Sequence, residues 1–137
     1  MTTIEVGQTL PGLTRVGNLH AWNRYAAVNE EFVDIHMDDE AGRTAGYPSA
    51  FGMGNLSYAW IHCMLRAWLV GTRGRIVSVN TQFRAPVLRN QTVEVRGVVT
   101  GVDDEGSELV VSLEVWTESD GARLAPGTAT VAIPKPA

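Results

Sequence analysis

Thiols are nearly absent from this chain: Cys63 is the one cysteine in 137 residues. A lone thiol excludes an internal disulfide and any metal site built from several thiolates. Long uninterrupted apolar runs are missing as well. The most apolar stretch is broken by His62 and Arg66, which argues against a membrane span. An excess of positive charge is also lacking. With 11 Lys and Arg against 15 Asp and Glu, the net charge of −4 gives no electrostatic reason to bind nucleic acid or an anionic membrane. The opening MTTIEVGQTLPG has neither a basic nor an apolar region of the secretory type, so a cytoplasmic protein is expected. No low-complexity tract, repeat or linker interrupts the chain. Residues 1–137 are therefore expected to form a single domain, long enough to bury a core.

The pattern that is present changes near residue 72. From Gly74 onward it is strand after strand. In RIVSVNTQFRAPV, the positions Val77, Val79, Thr81, Phe83, Ala85 and Val87 alternate with Ser78, Asn80, Gln82 and Arg84. A period of two gives one dry face and one wet face. LRNQ reads as a turn; Val93, Val95, Gly97 and Val99 alternate with Glu94 and Arg96; DDEG turns the chain again. Leu109, Val111, Leu113 and Val115 continue the alternation, and SDG precedes a last strand containing GTATVAI. Four strands and three turns predict an antiparallel meander.

The preceding segment, NLSYAWIHCMLRAWLVG, is apolar at most positions, with a thin polar stripe at Asn55, His62 and Arg66. A helix apolar nearly all round must be buried nearly all round, and Gly71 is a suitable stop. The spacing predicts a helix over residues 54–70, wrapped by a curved antiparallel sheet whose Phe83, Val95, Leu113 and Val131 face it. This is an α+β chain of the hot-dog architecture. Such a fold leaves an edge strand available for pairing, so a dimer or heteromer is expected.

One short stretch is chemically crowded. EEFVDIHMD places Glu30, Glu31, Asp34 and Asp38 around His36. It reads either as a solvated, acidic helix start or as a carboxylate and an imidazole set to hold one water. The surrounding YAAVNEEFVDIHMDDEAGRTAGYPSAFGMGNL resembles the signature of MaoC-like (R)-specific enoyl-CoA hydratases. Tyr25-Ala26, Ala45-Gly46 and Gly52-Met53 match its blocks, and FRAPV (83–87) matches a strand common in the family. Glu31 falls on the family's catalytic aspartate, His36 on its catalytic histidine and Asp38 on its trailing acid. The departures are plain. Val33-Asp34 replaces Asn-Pro, Glu30 replaces a glycine, and Phe51 replaces the histidine before Gly52. The pattern is also similar to the small subunit of two-component actinobacterial hydratases of the steroid side-chain type.

What the resemblance implies is hydration of an α,β-unsaturated acyl-CoA, with no cofactor beyond the coenzyme A of the substrate and no metal. A positioned water must be deprotonated, the α-carbon protonated and the enolate-like thioester oxygen stabilised. Glu31 and His36 are the candidates for the first two tasks. The Gly52 N–H, at a helix start, is the candidate for the third. Asp34 can stand in for the missing Asn, Gly54 and Asn55 border the same helix start, and Arg84 and Arg89 can meet the CoA phosphates. Small residues at Ala50, Gly52 and Gly54 suggest room for a bulky or polycyclic acyl group. Blander readings stand beside these: Asp38 as a helix cap, His62 as a satisfied core histidine, His20 as a solvated loop residue, and Trp22, Trp60, Trp68 and Trp116 as core or interface. Two alternatives stay open, a hot-dog thioesterase and a non-catalytic subunit that shapes the acyl pocket of a second MaoC-like chain.

Overall fold

A computed structural model describes residues 3–137. The elements are β1 (Leu13–Val16), α1 (Leu19–Asn29), α2 (Asp34–Met37), α3 (Asp39–Thr44), α4 (Gly54–Leu69), β2 (Arg75–Thr81), β3 (Thr92–Asp104), β4 (Glu108–Ser119) and β5 (Ala122–Pro134). The five strands form one antiparallel sheet in the order β1-β3-β4-β5-β2. The sheet curls around α4, and the architecture is the hot-dog fold.

The helix is placed as the apolar pattern predicts. Trp60, Ile61, Met64, Leu65 and Leu69 are buried, and Val95, Leu113 and Val131 join them in one core. Gly97 lets the helix come close, since a Cβ there would stand 3.1 Å from the Met64 methyl. At the C-terminal end Gly71 adopts φ 83, in the left-handed region, and the Thr72 hydroxyl donates to Leu69 O at 2.6 Å. The burial is less complete than the composition suggests. Asn55, Cys63, Arg66 and Ala67 are exposed along one face of α4. Among the described residues, no helix is long and apolar enough to cross a membrane.

The strand pattern holds for β3, β4 and β5, which are consecutive neighbours. The β4–β5 hairpin turns at Asp120 and Gly121, both at positive φ (51 and 78), the Asp-Gly pairing that suits a tight hairpin. Two expectations need correction. The predicted meander is broken, because β2 pairs with β5 at the far edge rather than with β3. The predicted strand also ends at Thr81, and Phe83 is 54% exposed instead of facing the core. Pro86 cannot donate to a ladder, and residues 82–91 serve instead as a crossover. That segment is tied in turn to β5 (Gln82 N–H to Pro126 O, Arg84 N–H to Leu124 O), to the start of α4 (Gly52 N–H to Val87 O) and to β1 (Asn90 N–H to Gly17 O). β1, a four-residue strand at the other edge, has too short an alternation to stand out in the sequence.

The short helices between α1 and α4 are fixed by polar anchors. Asp38 caps α3, its carboxylate accepting from Ala41 N–H at 3.0 Å. The Asp39 carboxylate accepts from Ala50 N–H at 3.1 Å and from both terminal nitrogens of Arg89, at 2.6 and 3.1 Å. Gly42 lies so close to the same segment that a Cβ there would stand 2.0 Å from Ser49 O. The Ala50 amide and the Arg89 guanidinium hold the Asp39 carboxyl below its ordinary value. Its contribution is therefore present above the unfolded carboxylate pKa of about 4 and is lost as pH falls through the lower folded value. Asp39→Asn is expected to lower the melting temperature at neutral pH. It should also flatten the fall in melting temperature on acidification. Melting curves that keep the wild-type pH slope in Asp39→Asn would contradict the assignment.

Candidate active site

His36 lies on α2, a helix of four residues, and is 8% exposed. Its Nδ1 is 2.8 Å from Phe51 O. A carbonyl oxygen can only accept, so Nδ1 carries the proton toward Phe51 and Nε2 of the neutral ring is left as an acceptor. The Phe51 ring packs edge-on to the imidazole, with centroids 5.3 Å apart, and Tyr47 packs on Phe51 at 4.5 Å. The ring is thus held on two sides by one residue.

His36 lines a cavity of about 220 Å³ together with Phe51 to Gly54, Ser57, Phe83 to Val87, Tyr47 and Ala125. One wall is the N-terminus of α4. The residue before it, Met53, provides no side-chain cap, and Gly54 N–H meets no acceptor among the described residues. A free amide at a helix start attracts developing negative charge. Ser57, one turn further along, is 5% exposed, lines the cavity, and its hydroxyl likewise has no partner among the described residues. Its place within the apolar helix pattern gave no sign of a site role; only the three-residue step from Gly54, which sets both on one helix face, hinted at it.

The Gly52 expectation is corrected. Its N–H donates to Val87 O at 2.7 Å and so cannot serve an oxyanion; the free amide on that wall belongs to Gly54. The absence of a side chain at Gly52 answers to packing, since a Cβ would stand 2.8 Å from the Trp22 indole nitrogen. The room inferred from small residues is filled as well. Ala50 is fully buried, Trp22 and Val87 close on Gly52, and the Phe83 ring lies over Gly54, 2.6 to 2.8 Å from where a Cβ would be. The missing side chains at Gly52 and Gly54 make room for these neighbours, while both glycines still line the cavity. The cavity is small beside the ~300–1,000 Å³ of clefts that take drug-sized ligands.

Glu31 does not line this cavity. It follows the left-handed Glu30 (φ 53) that ends α1, and its carboxylate accepts from Asn29 Nδ2 at 3.2 Å and from Asn55 Nδ2 at 3.4 Å to each oxygen. Burial, and then the Glu31 carboxylate, push the Tyr25 hydroxyl above its ordinary value, and the Asn29 and Asn55 contacts place Glu31 between the end of α1 and the first turn of α4. The sequence thus brings the acid to the helix start but not into the His36 chamber. Asn55 serves that carboxylate and is absent from the cavity wall. Asp34 is exposed and makes no side-chain hydrogen bond among the described residues. The expectation for Arg89 is corrected too: it is committed to Asp39 and is not free for a phosphate. Arg84 is exposed at the cavity mouth, with Gln82 Oε1 at 3.3 Å as its side-chain partner. His62 bonds Tyr58 O through Nδ1 at 2.9 Å and stacks edge-on to Tyr58, away from the cavity. His20 is exposed on α1.

Several solved structures share this fold. An (R)-hydratase from A. caviae involved in PHA biosynthesis superposes with a TM-score of 0.85 at 22% identity, covering 96% of this chain and 98% of that one. The ChsH1-ChsH2 complex from Mycobacterium tuberculosis gives 0.85 at 20% identity, over 96% and 99%. The HadBC (3R-hydroxyacyl-ACP dehydratase) complex from the same organism gives 0.78 at 15% identity, over 96% and 99%. No curated protein matches the sequence. The MaoC like domain matches residues 11–119, most of the chain. With that match, and with the helix-in-sheet architecture of these hydratases and dehydratases, the chain belongs to the MaoC-like domain family.

Proposed function

We propose that this chain adds water to an α,β-unsaturated acyl-CoA thioester, giving the 3-hydroxyacyl thioester, within an assembly of MaoC-like chains. The observation that carries the reading is the bond from His36 Nδ1 to Phe51 O. It leaves Nε2 as an acceptor on a residue that lines the same cavity as a free helix-start amide.

The steps follow from these groups. The thioester oxygen lies against Gly54 N–H, which draws electron density from the double bond. His36 Nε2 accepts a proton from a water as the water oxygen bonds to the β-carbon. The π electrons pass to the α-carbon and thioester oxygen, and the α-carbon then takes the proton from His36 Nε2, which returns the ring to its neutral form. Atoms balance as one water added. Glu31 is the second acid–base group and reaches the same water by rotating away from Asn55. Ser57 hydroxyl bonds the thioester or the water from the helix wall. Arg84 meets a phosphate of CoA at the mouth.

The resting position of Glu31 outside the cavity favours a second reading, in which this chain shapes the pocket and a non-identical MaoC-like chain supplies the carboxylate. Two of the structures sharing the fold are hetero-complexes, ChsH1-ChsH2 and HadBC. The free edge of β2 is suited to such pairing. Gln82 donates to Pro126, so alternation along the ladder leaves the backbone of Thr81 and Val79 pointing outward, and Tyr58 hydroxyl already caps Val79 O at 3.2 Å. A steroid-type acyl group belongs to this reading only if the cavity opens.

His36→Ala and Glu31→Gln, assayed in the competent assembly, are each expected to lower the hydration rate by ~10²-fold or more; Glu31→Gln should keep the melting temperature, whereas His36→Ala, which also removes the buried bond to Phe51 O, should lower it. Wild-type rates in Glu31→Gln alone would assign the carboxylate to the partner chain. Wild-type rates in His36→Ala would overturn the mechanism. Arg84→Ala should raise KM for an enoyl-CoA by about tenfold, the scale of one charge-assisted contact. It should leave KM for the corresponding N-acetylcysteamine thioester unchanged. An equal effect on both thioesters would remove the phosphate contact from the account.

A further inference from the structure

The cavity has one wall that is far less tightly packed than the rest. Its other large apolar walls are locked: Met53 is 1% exposed, Val87 4% and Phe51 8%, each packed into the surrounding structure. Tyr47 is 38% exposed, but its ring is stacked on Phe51. Phe83 is 54% exposed and has no ring partner among the described residues. It rests on Gly54, with three ring carbons 2.6 to 2.8 Å from the position of a Cβ. Only a glycine leaves space for the ring there.

The backbone beneath this side chain is fixed on both sides. Gln82 N–H donates to Pro126 O at 3.0 Å, and Arg84 N–H donates to Leu124 O at 2.9 Å. Loop motion is therefore not needed to clear the cavity. A rotation about the side-chain torsions of Phe83 alone would uncover Gly54, at the cost of contacts that are already half solvent-exposed. Displacing Met53 or Val87 would open the core instead.

From this asymmetry we infer that Phe83 is the gate that sets how long an acyl group the site accepts. With the ring down on Gly54 the cavity admits a short enoyl chain. With the ring turned out, the space it occupies over the α4 start joins the cavity, and longer chains fit. Phe83 is a specificity-determining residue and takes no part in the proton transfers. The inference rests on the acyl-thioester reading, and the test separates the two.

The test compares kcat/KM for crotonyl-CoA and dodecenoyl-CoA in the wild-type assembly and in Phe83→Ala and Phe83→Trp. Phe83→Ala should raise the long-to-short ratio by about tenfold or more, within the range a few methylenes contribute in an apolar pocket. Phe83→Trp should lower it. In parallel, calorimetry measures binding of butyryl-CoA and dodecanoyl-CoA, which carry no double bond to hydrate. If no variant hydrates either enoyl-CoA but the binding ratio still follows residue 83, the gate stands and the proposed reaction falls. A ratio that stays within about twofold of wild type in both variants overturns the gate, whether read by turnover or by binding. Equal loss of both chain lengths in both variants also overturns it, because it marks residue 83 as structural.

Discussion

The peptide group of Phe51 is the point on which the site depends. Its carbonyl accepts from His36 Nδ1 at 2.8 Å, and its N–H donates to Ile35 O at 3.1 Å. Adjacent residues of α2 therefore clamp one residue of the approach to α4. Phe51 also bridges Leu88 on the crossover segment, and the next amide, Gly52 N–H, donates to Val87 O. Three stretches distant in sequence meet at this residue, and the cavity lies between them. The same bond that fixes the imidazole orientation also fixes where the helix start stands relative to it. Orientation and position are set together. That matters because general base catalysis fails when the acceptor is misaligned, even if its chemistry is right.

Much of the fold can be read from the residues because its elements are long. The period of two over Val93–Val99 and Leu109–Val115 and the dense apolar pattern of residues 56–69 specify their elements without help from tertiary context. What could not be read was non-local. Nothing in RIVSVNTQFRAPV states that the strand stops at Thr81 and that its end crosses the helix start; that is decided by the register with β5 and the lack of an amide proton at Pro86. LTRV was missed because four residues carry too little alternation to be seen.

The site was legible in part, for a related reason. His36 could be singled out from its acidic surroundings and from the resemblance they carry. The distinction between Gly52 and Gly54 could not, because which amide is free depends on the Val87 carbonyl, 35 residues away. The glycines and Ala50 suggested empty space, whereas the structure fills that space with Trp22, Val87 and Phe83. A small residue records close approach; what approaches it is decided elsewhere in the chain. Glu31 shows the same limit. Its spacing from His36 fits a shared water, while Asn29 and Asn55 hold its carboxylate outside the chamber.

The central claim is that the Phe51 carbonyl holds the His36 proton on Nδ1 and leaves Nε2 to accept. Nitrogen-15 NMR of the imidazole in protein labelled at histidine tests it most directly, since a protonated ring nitrogen and a bare one resonate far apart. The account predicts that the neutral His36 ring carries its proton on Nδ1, with the signal of Nε2, not of Nδ1, perturbed when an acyl-CoA binds. A neutral ring protonated on Nε2 would contradict it, because Nε2 would then have no lone pair with which to take a proton from water.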